Sequence, residues 1–141
     1  MTPPVRLARA VAILWAMPCS ALGLLLALPV LCAGGRARRI GTTIEIYRHE
    51  GTVPRRSVCS RLPFSAITFG HVIIGTGSQQ LERLRPHERV HVRQYECLGP
   101  LFLVLYPLAS VLALVQGKGV HSGNYFEIQA NSLSARGRDT A

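Results

Sequence analysis

The sequence predicts an α+β fold in which a small antiparallel sheet and a few helices follow an N-terminal transmembrane helix. Three observations lead there. Val11 to Cys32 runs without a charge and is rich in Leu and Ala, which marks a helix long enough for a bilayer. Ile40 to Tyr47 and Ala66 to Gly75 are β-branched, the first of them alternating, and read as strands. Two polar segments carry helix signatures, one around His87-Glu88-Arg89-Val90-His91 and one opening at Asn124.

The 141 residues suffice for one small domain, and 48% hydrophobic against 16% charged residues is more apolar than one small soluble core needs. Val11 to Cys32 accounts for part of the excess. Arg6 and Arg9 precede it and Gly34-Gly35-Arg36-Ala37-Arg38-Arg39 ends it, a pattern shared by a retained anchor and a secretory signal peptide. The length of the run, and the lack of an A-x-A site before Gly34, favour an anchor over residues 1–35. Pro18 and Pro29 are kinks that membrane helices tolerate.

The domain proper is expected over residues 36–135. Its strands come first, the second of them centred on Gly70 and carrying His71. Pro86 lacks an N–H, so it is expected to open the helix that bears His87 rather than to sit inside one begun at Gln79. Leu98 to Val115 is a second charge-free run, interrupted by Gly99, Pro100 and Pro107. At the lower length limit of a span, it is expected to form a buried or interfacial helix that returns the chain to the same side; the alternative is a second span. Asn124 then caps a last helix, with Glu127 at its third position, where a carboxylate can also close a capping box without any metal. Residues 136–141 are expected to fray.

Chemistry concentrates at His87-Glu88-Arg89-Val90-His91. Imidazoles at i and i+4 share one helix face and can bind one zinc ion, while Glu88 lies about 100° round the helix, within reach of an activated water. Zinc would polarise a substrate carbonyl, with Glu88 as general base. The alternative is a polar helix face on which Glu88 pairs with Arg85 or Arg89 and the histidines are solvated. His71 is either a further metal ligand or an ordinary strand histidine, and His49 and His121 are less constrained still.

The stretch Ala66-Ile-Thr-Phe-Gly-His-Val-Ile-Ile-Gly75, the motif extended to Gln94, and Glu127-Ile-Gln-Ala-Asn131 together resemble the small bacterial zincin-like domains with H-E-x-x-H-x-x-Q followed by E-x-x-A-[DN]. That resemblance covers about half of the chain. It implies a minimal zincin-like domain of gluzincin type, with His87, His91 and Glu127 as zinc ligands, Glu88 as general base, and Asn131 orienting a ligand histidine. It also implies that the strand Ile67-Thr68-Phe69-Gly70-His71-Val72-Ile73-Ile74 aligns an extended substrate through its edge.

The formal charge of +9 suggests an anionic neighbour; beside an apolar anchor, acidic lipid headgroups fit better than nucleic acid, for which no motif is present. Arginines after the anchor outnumber those before it, which weakly places the domain in the cytoplasm. Cys19, Cys32, Cys59 and Cys97 show no paired spacing and indicate neither a disulfide framework nor a cysteine zinc site. The leading expectation is a membrane-anchored zinc metallopeptidase acting on a peptide or protein substrate. Two others stay open: a noncatalytic membrane-associated zinc-site scaffold, favoured by Arg89 in a position usually uncharged in active peptidases, and a two-span membrane protein with a fortuitous motif.

Overall fold

A computed structural model of the chain describes residues 3–48 and 65–136; His49, Cys59 and the tail beyond Arg136 lie outside them. In order, α1 covers Pro3–Cys32, β1 Arg36–Ile40, β2 Thr43–Tyr47, β3 Ala66–Phe69, β4 Val72–Gly75 and α2 Ser78–Leu98. A 3-10 turn over Gly99–Leu101 leads into α3, Phe102–Val115, and α4 spans Tyr125–Arg136. The fold is α+β with an N-terminal apolar helix, as expected.

The sheet, ordered β1-β2-β4-β3, is mixed rather than antiparallel, because β2 and β4 pair in parallel. The stretch from Ala66 to Gly75 is a hairpin, not one strand, with Phe69 opposite Val72. Gly70 makes the turn at φ +58° and His71 follows without positive φ, the pattern of a type II′ turn. Val72-Ile73-Ile74 is apolar on both faces, so it takes the centre of the sheet and leaves β3 at the edge.

Alternation then divides the sheet into two faces. Ile44, Ile46, Val72 and Ile74 pack with Ala27, Val30 and Leu31 of α1, while Ile73 and Tyr47 pack with Leu81 and Val92 of α2. The sheet therefore lies between α1 and α2. Small residues on α1 allow close contact: a Cβ at Gly23 would lie 2.8 Å from Phe69 Cβ and 2.9 Å from Val72 Cβ. At the hairpin tip, a side chain on Gly70 would collide with Ser20. α1 thus forms part of the core. Further along, Ala16 and Cys19 meet Tyr95 of α2 and Phe102 of α3.

α2 runs straight through Pro86 instead of starting there. The turn before it is anchored from the sheet, where buried Glu45 accepts two hydrogen bonds from Arg85 at 2.6 and 3.2 Å and one from Arg38 at 3.1 Å. These contacts fix the turn that precedes Pro86, where the proline removes one backbone donor from the helix.

Candidate metal centre

One turn of α2 separates His87 from His91, and their Nε2 atoms lie 3.1 Å apart. α4 supplies a third donor: Glu127 Oε2 is 3.3 Å from His87 Nε2, and its Oε1 is 3.3 Å from His91 Nε2. Bonds of about 2.0–2.1 Å at tetrahedral angles put neighbouring donor atoms about 3.3–3.4 Å apart. Each histidine meets a different oxygen of Glu127, and with one donor atom from each residue the three lie within 4.8 Å of one another; they are the group among the described residues that could hold a metal ion.

Glu127 reaches the histidines because Asn124 fixes where α4 begins. Asn124 is fully buried; its Oδ1 accepts from the Phe126 N–H at 2.8 Å, and its Nδ2 donates to Ser110 Oγ at 2.8 Å and to the Tyr106 carbonyl at 3.1 Å. The cap thus also ties α4 to α3. Glu127 does not close a capping box with it, since the Asn124 N–H bonds to the His121 carbonyl at 3.2 Å. Instead Tyr106 Oη donates to Glu127 Oε1 at 2.6 Å.

The tautomer of His91 follows from Gln94, one turn on. Gln94 Nε2 donates to Phe126 O at 3.1 Å and Gln129 Oε1 at 2.8 Å, so its Oε1 is the atom 2.8 Å from His91 Nδ1. His91 Nδ1 must carry the proton, and the neutral ring then aims its Nε2 lone pair at the cluster. The orienting role expected of Asn131 falls for His91 to Gln94; Asn131 is exposed and lines a neighbouring cavity beside His87.

Burial alone would raise the Glu127 carboxyl, but hydrogen bonds with His87, His91 and Tyr106 outweigh it and hold the group well below the usual carboxylate range. Burial likewise lowers His91; the bonds to Glu127 and Gln94 and the nearby charge of Glu88 more than offset this and raise it above its ordinary value.

Glu88 is buried and stands outside the donor group. Its Oε2 accepts from Thr68 Oγ1 of β3 at 2.7 Å, rather than pairing with Arg85, which is committed to Glu45, or with exposed Arg89. A cavity of about 290 Å³ runs between β3, α2 and α3, lined by Ile67, Thr68, Glu88, Phe102, Tyr106 and Glu127 among others.

Of the strand expected to align substrate, Ile67, Thr68 and Phe69 are on the outer strand at the cavity, whereas Val72, Ile73 and Ile74 are in the sheet centre. His71 sits in the turn and takes no part in the cluster. Its Nε2 lies 3.0 Å from Glu96 Oε1, and its backbone N–H donates to Ser20 Oγ at 2.9 Å.

Comparison with protein-family models, curated proteins and solved structures gives no match. Sequence reasoning missed three residues there: Gln94 as the orienting group, Tyr106, and His121, which lines the cavity from the loop after α3. Gln94 was legible, three residues past His91 on the same helix face. Tyr106 gave only a lone hydroxyl in an apolar run, and His121 gave none.

Proposed function

We propose that this chain is a membrane-embedded zinc peptidase of the zincin type. One observation carries the reading: a buried carboxylate, Glu88, is held by Thr68 beside a triangle of donors of which it is not a member. Zinc bound by His87, His91 and Glu127 would supply Lewis acidity toward a carbonyl oxygen and lower the pKa of a water. Glu88 then takes a proton from the attacking water and gives it to the leaving amine nitrogen. The Thr68 hydroxyl occupies Oε2 and fixes the carboxylate plane, which leaves Oε1 for that proton. Gln94 and Tyr106 keep His91 and Glu127 in place.

Substrate alignment follows from the hairpin. Phe69 and Val72 close it as a hydrogen-bonded pair, so the backbone groups of Thr68 and Ala66 point away from β4. An extended polypeptide can pair along that edge and pass the cluster. Arg89, the residue that favours a noncatalytic scaffold, is exposed and does not line the cavity.

Two helical stretches are long and apolar enough to cross a membrane: Val5–Cys32, and Ser78–Val115 taken as one, whose apolar part is α3. We place their apolar faces in lipid with anionic headgroups at the flanking arginines; the excess of basic residues after the first apolar run is what supports a cytoplasmic side for the domain.

Purified without chelator, the protein should hold about one zinc per chain, and His91→Ala should release it. Glu88→Gln should keep the metal while chelator-sensitive peptide cleavage drops by about 10²–10⁴-fold. A folded sample free of zinc would sink the reading, and turnover unchanged by Glu88→Gln would remove the assigned base.

A further inference from the structure

The cavity at the histidines continues into a second one. The first is lined at one end by Phe69, Phe102, Leu103 and Tyr106; the second is lined by Arg83, Asn131 and Ser134. Both include Ala66, His87, Glu88 and His121. They adjoin as two halves of one groove, the first the more apolar; the second mixes Leu84 and Pro86 with the polar side chains of Arg83, Asn131 and Ser134.

The wall of the apolar half is α3, whose Leu103, Tyr106 and Pro107 line the groove. Its other faces expose Val104, Leu108, Val111, Leu112 and Val115. A helix is about 10 Å across, so a single helix separates the apolar half of the groove from this bare surface. α1 adjoins it, since Trp15 lies against Gly99 at the turn before α3, and α1 leaves Leu14, Met17, Leu24, Leu25 and Leu28 exposed.

Neither Val11–Cys32 nor Leu98–Val115 contains a charge, whereas Arg6, Arg9, Arg36 and Arg39 bracket the first of these runs. Apolar faces of this extent are not left open by soluble monomers, and cations at their margins complement anionic headgroups. The occupant they fit is a bilayer. α3, at 14 residues, spans about 21 Å against a hydrocarbon core of about 30 Å, so it dips into lipid without crossing.

Resting on the hydrolase reading, we infer that the groove takes a membrane-anchored polypeptide and cuts it at the bilayer surface. An apolar residue on one side of the scissile bond enters beneath α3, and the polar chain on the other side leaves past Arg83. A substrate emerging from lipid presents its apolar end at the depth of α3, so the groove meets it in the right order.

The test uses the full chain in phosphatidylcholine–phosphatidylglycerol vesicles. The probes are peptides with one Leu/Ala membrane helix followed by a randomised segment, either directly or behind a Gly/Ser spacer of about fifteen residues. Both arms share the gain in local concentration from anchoring, so a difference between them reports position. Glu88-dependent cleavage should be about tenfold faster in the direct arm, within the first few residues past the anchor. Leu108→Glu with Val111→Glu, on the exposed face of α3, should bring the direct arm down to the rate of the spacer arm. Equal rates in the two arms of the wild type would overturn this inference and leave the hydrolase reading standing. No Glu88-dependent cleavage in either arm would overturn both.

Discussion

Gln94 decides which nitrogen of His91 faces the cluster, because its amide is itself oriented by two acceptors on α4. Replacing it with Leu keeps the volume and removes the acceptor. Gln94→Leu should therefore weaken zinc binding by about 10–100-fold, the usual effect of losing an outer hydrogen bond to a ligand imidazole; an unchanged affinity in competition with a chromophoric chelator would refute the assignment. A pH dependence follows from the same residue. His91 is raised above its ordinary value in the metal-free fold, and a ligand must be neutral, so affinity should fall as pH drops through that raised value. At and below that raised value, binding should release a proton, measurable by calorimetry in buffers of different ionisation enthalpy. Glu127 adds nothing in this window, since its depressed carboxyl stays ionised until far lower pH.

Among the elements, β2, β3 and β4 were legible from β-branching, although Ala66–Gly75 read as one strand; β1, with Arg36, Arg38 and Arg39 among its five residues, gave no such signal, and Ile40 closes β1 instead of opening β2. The last helix was legible from Asn124. Partner choice was not. A run such as Val72-Ile73-Ile74 says that both faces are covered, but the parallel pairing with β2 depends on residues distant in the chain. Gly70 was visible within the stretch, yet the turn it makes is required by the approach of α1, where Ser20 leaves no room for a Cβ. Pro86 misled for a related reason. Local propensity opposes a helix through it, whereas Leu81 and Val92 on the sheet and the Arg85–Glu45 pair hold α2 on both sides.

For the whole molecule, the second apolar run posed the decisive question, since a crossing there would put His87 and Glu127 on opposite sides of the membrane. In the fold, the loop after α3 turns back, Gly123 approaches Ala113, and Asn124 bonds to Ser110 midway along the helix. Reporters fused after Val53 and after Ala141 should accordingly report the same side; opposite sides would separate Glu127 from the histidines. The sequence by itself determined the local chemistry: two imidazoles and a carboxylate on one helix, a capped last helix and charge-free runs, because helical periodicity and hydropathy are properties of neighbours in the chain. Only the tertiary structure decided that Glu127 completes the triangle, that Thr68 holds Glu88, that Gln94 orients His91, and that α1 covers one face of the sheet. Each of those contacts joins residues on different elements or depends on such a contact, and the packing of α1, the sheet, α2 and α4 sets the distances between them.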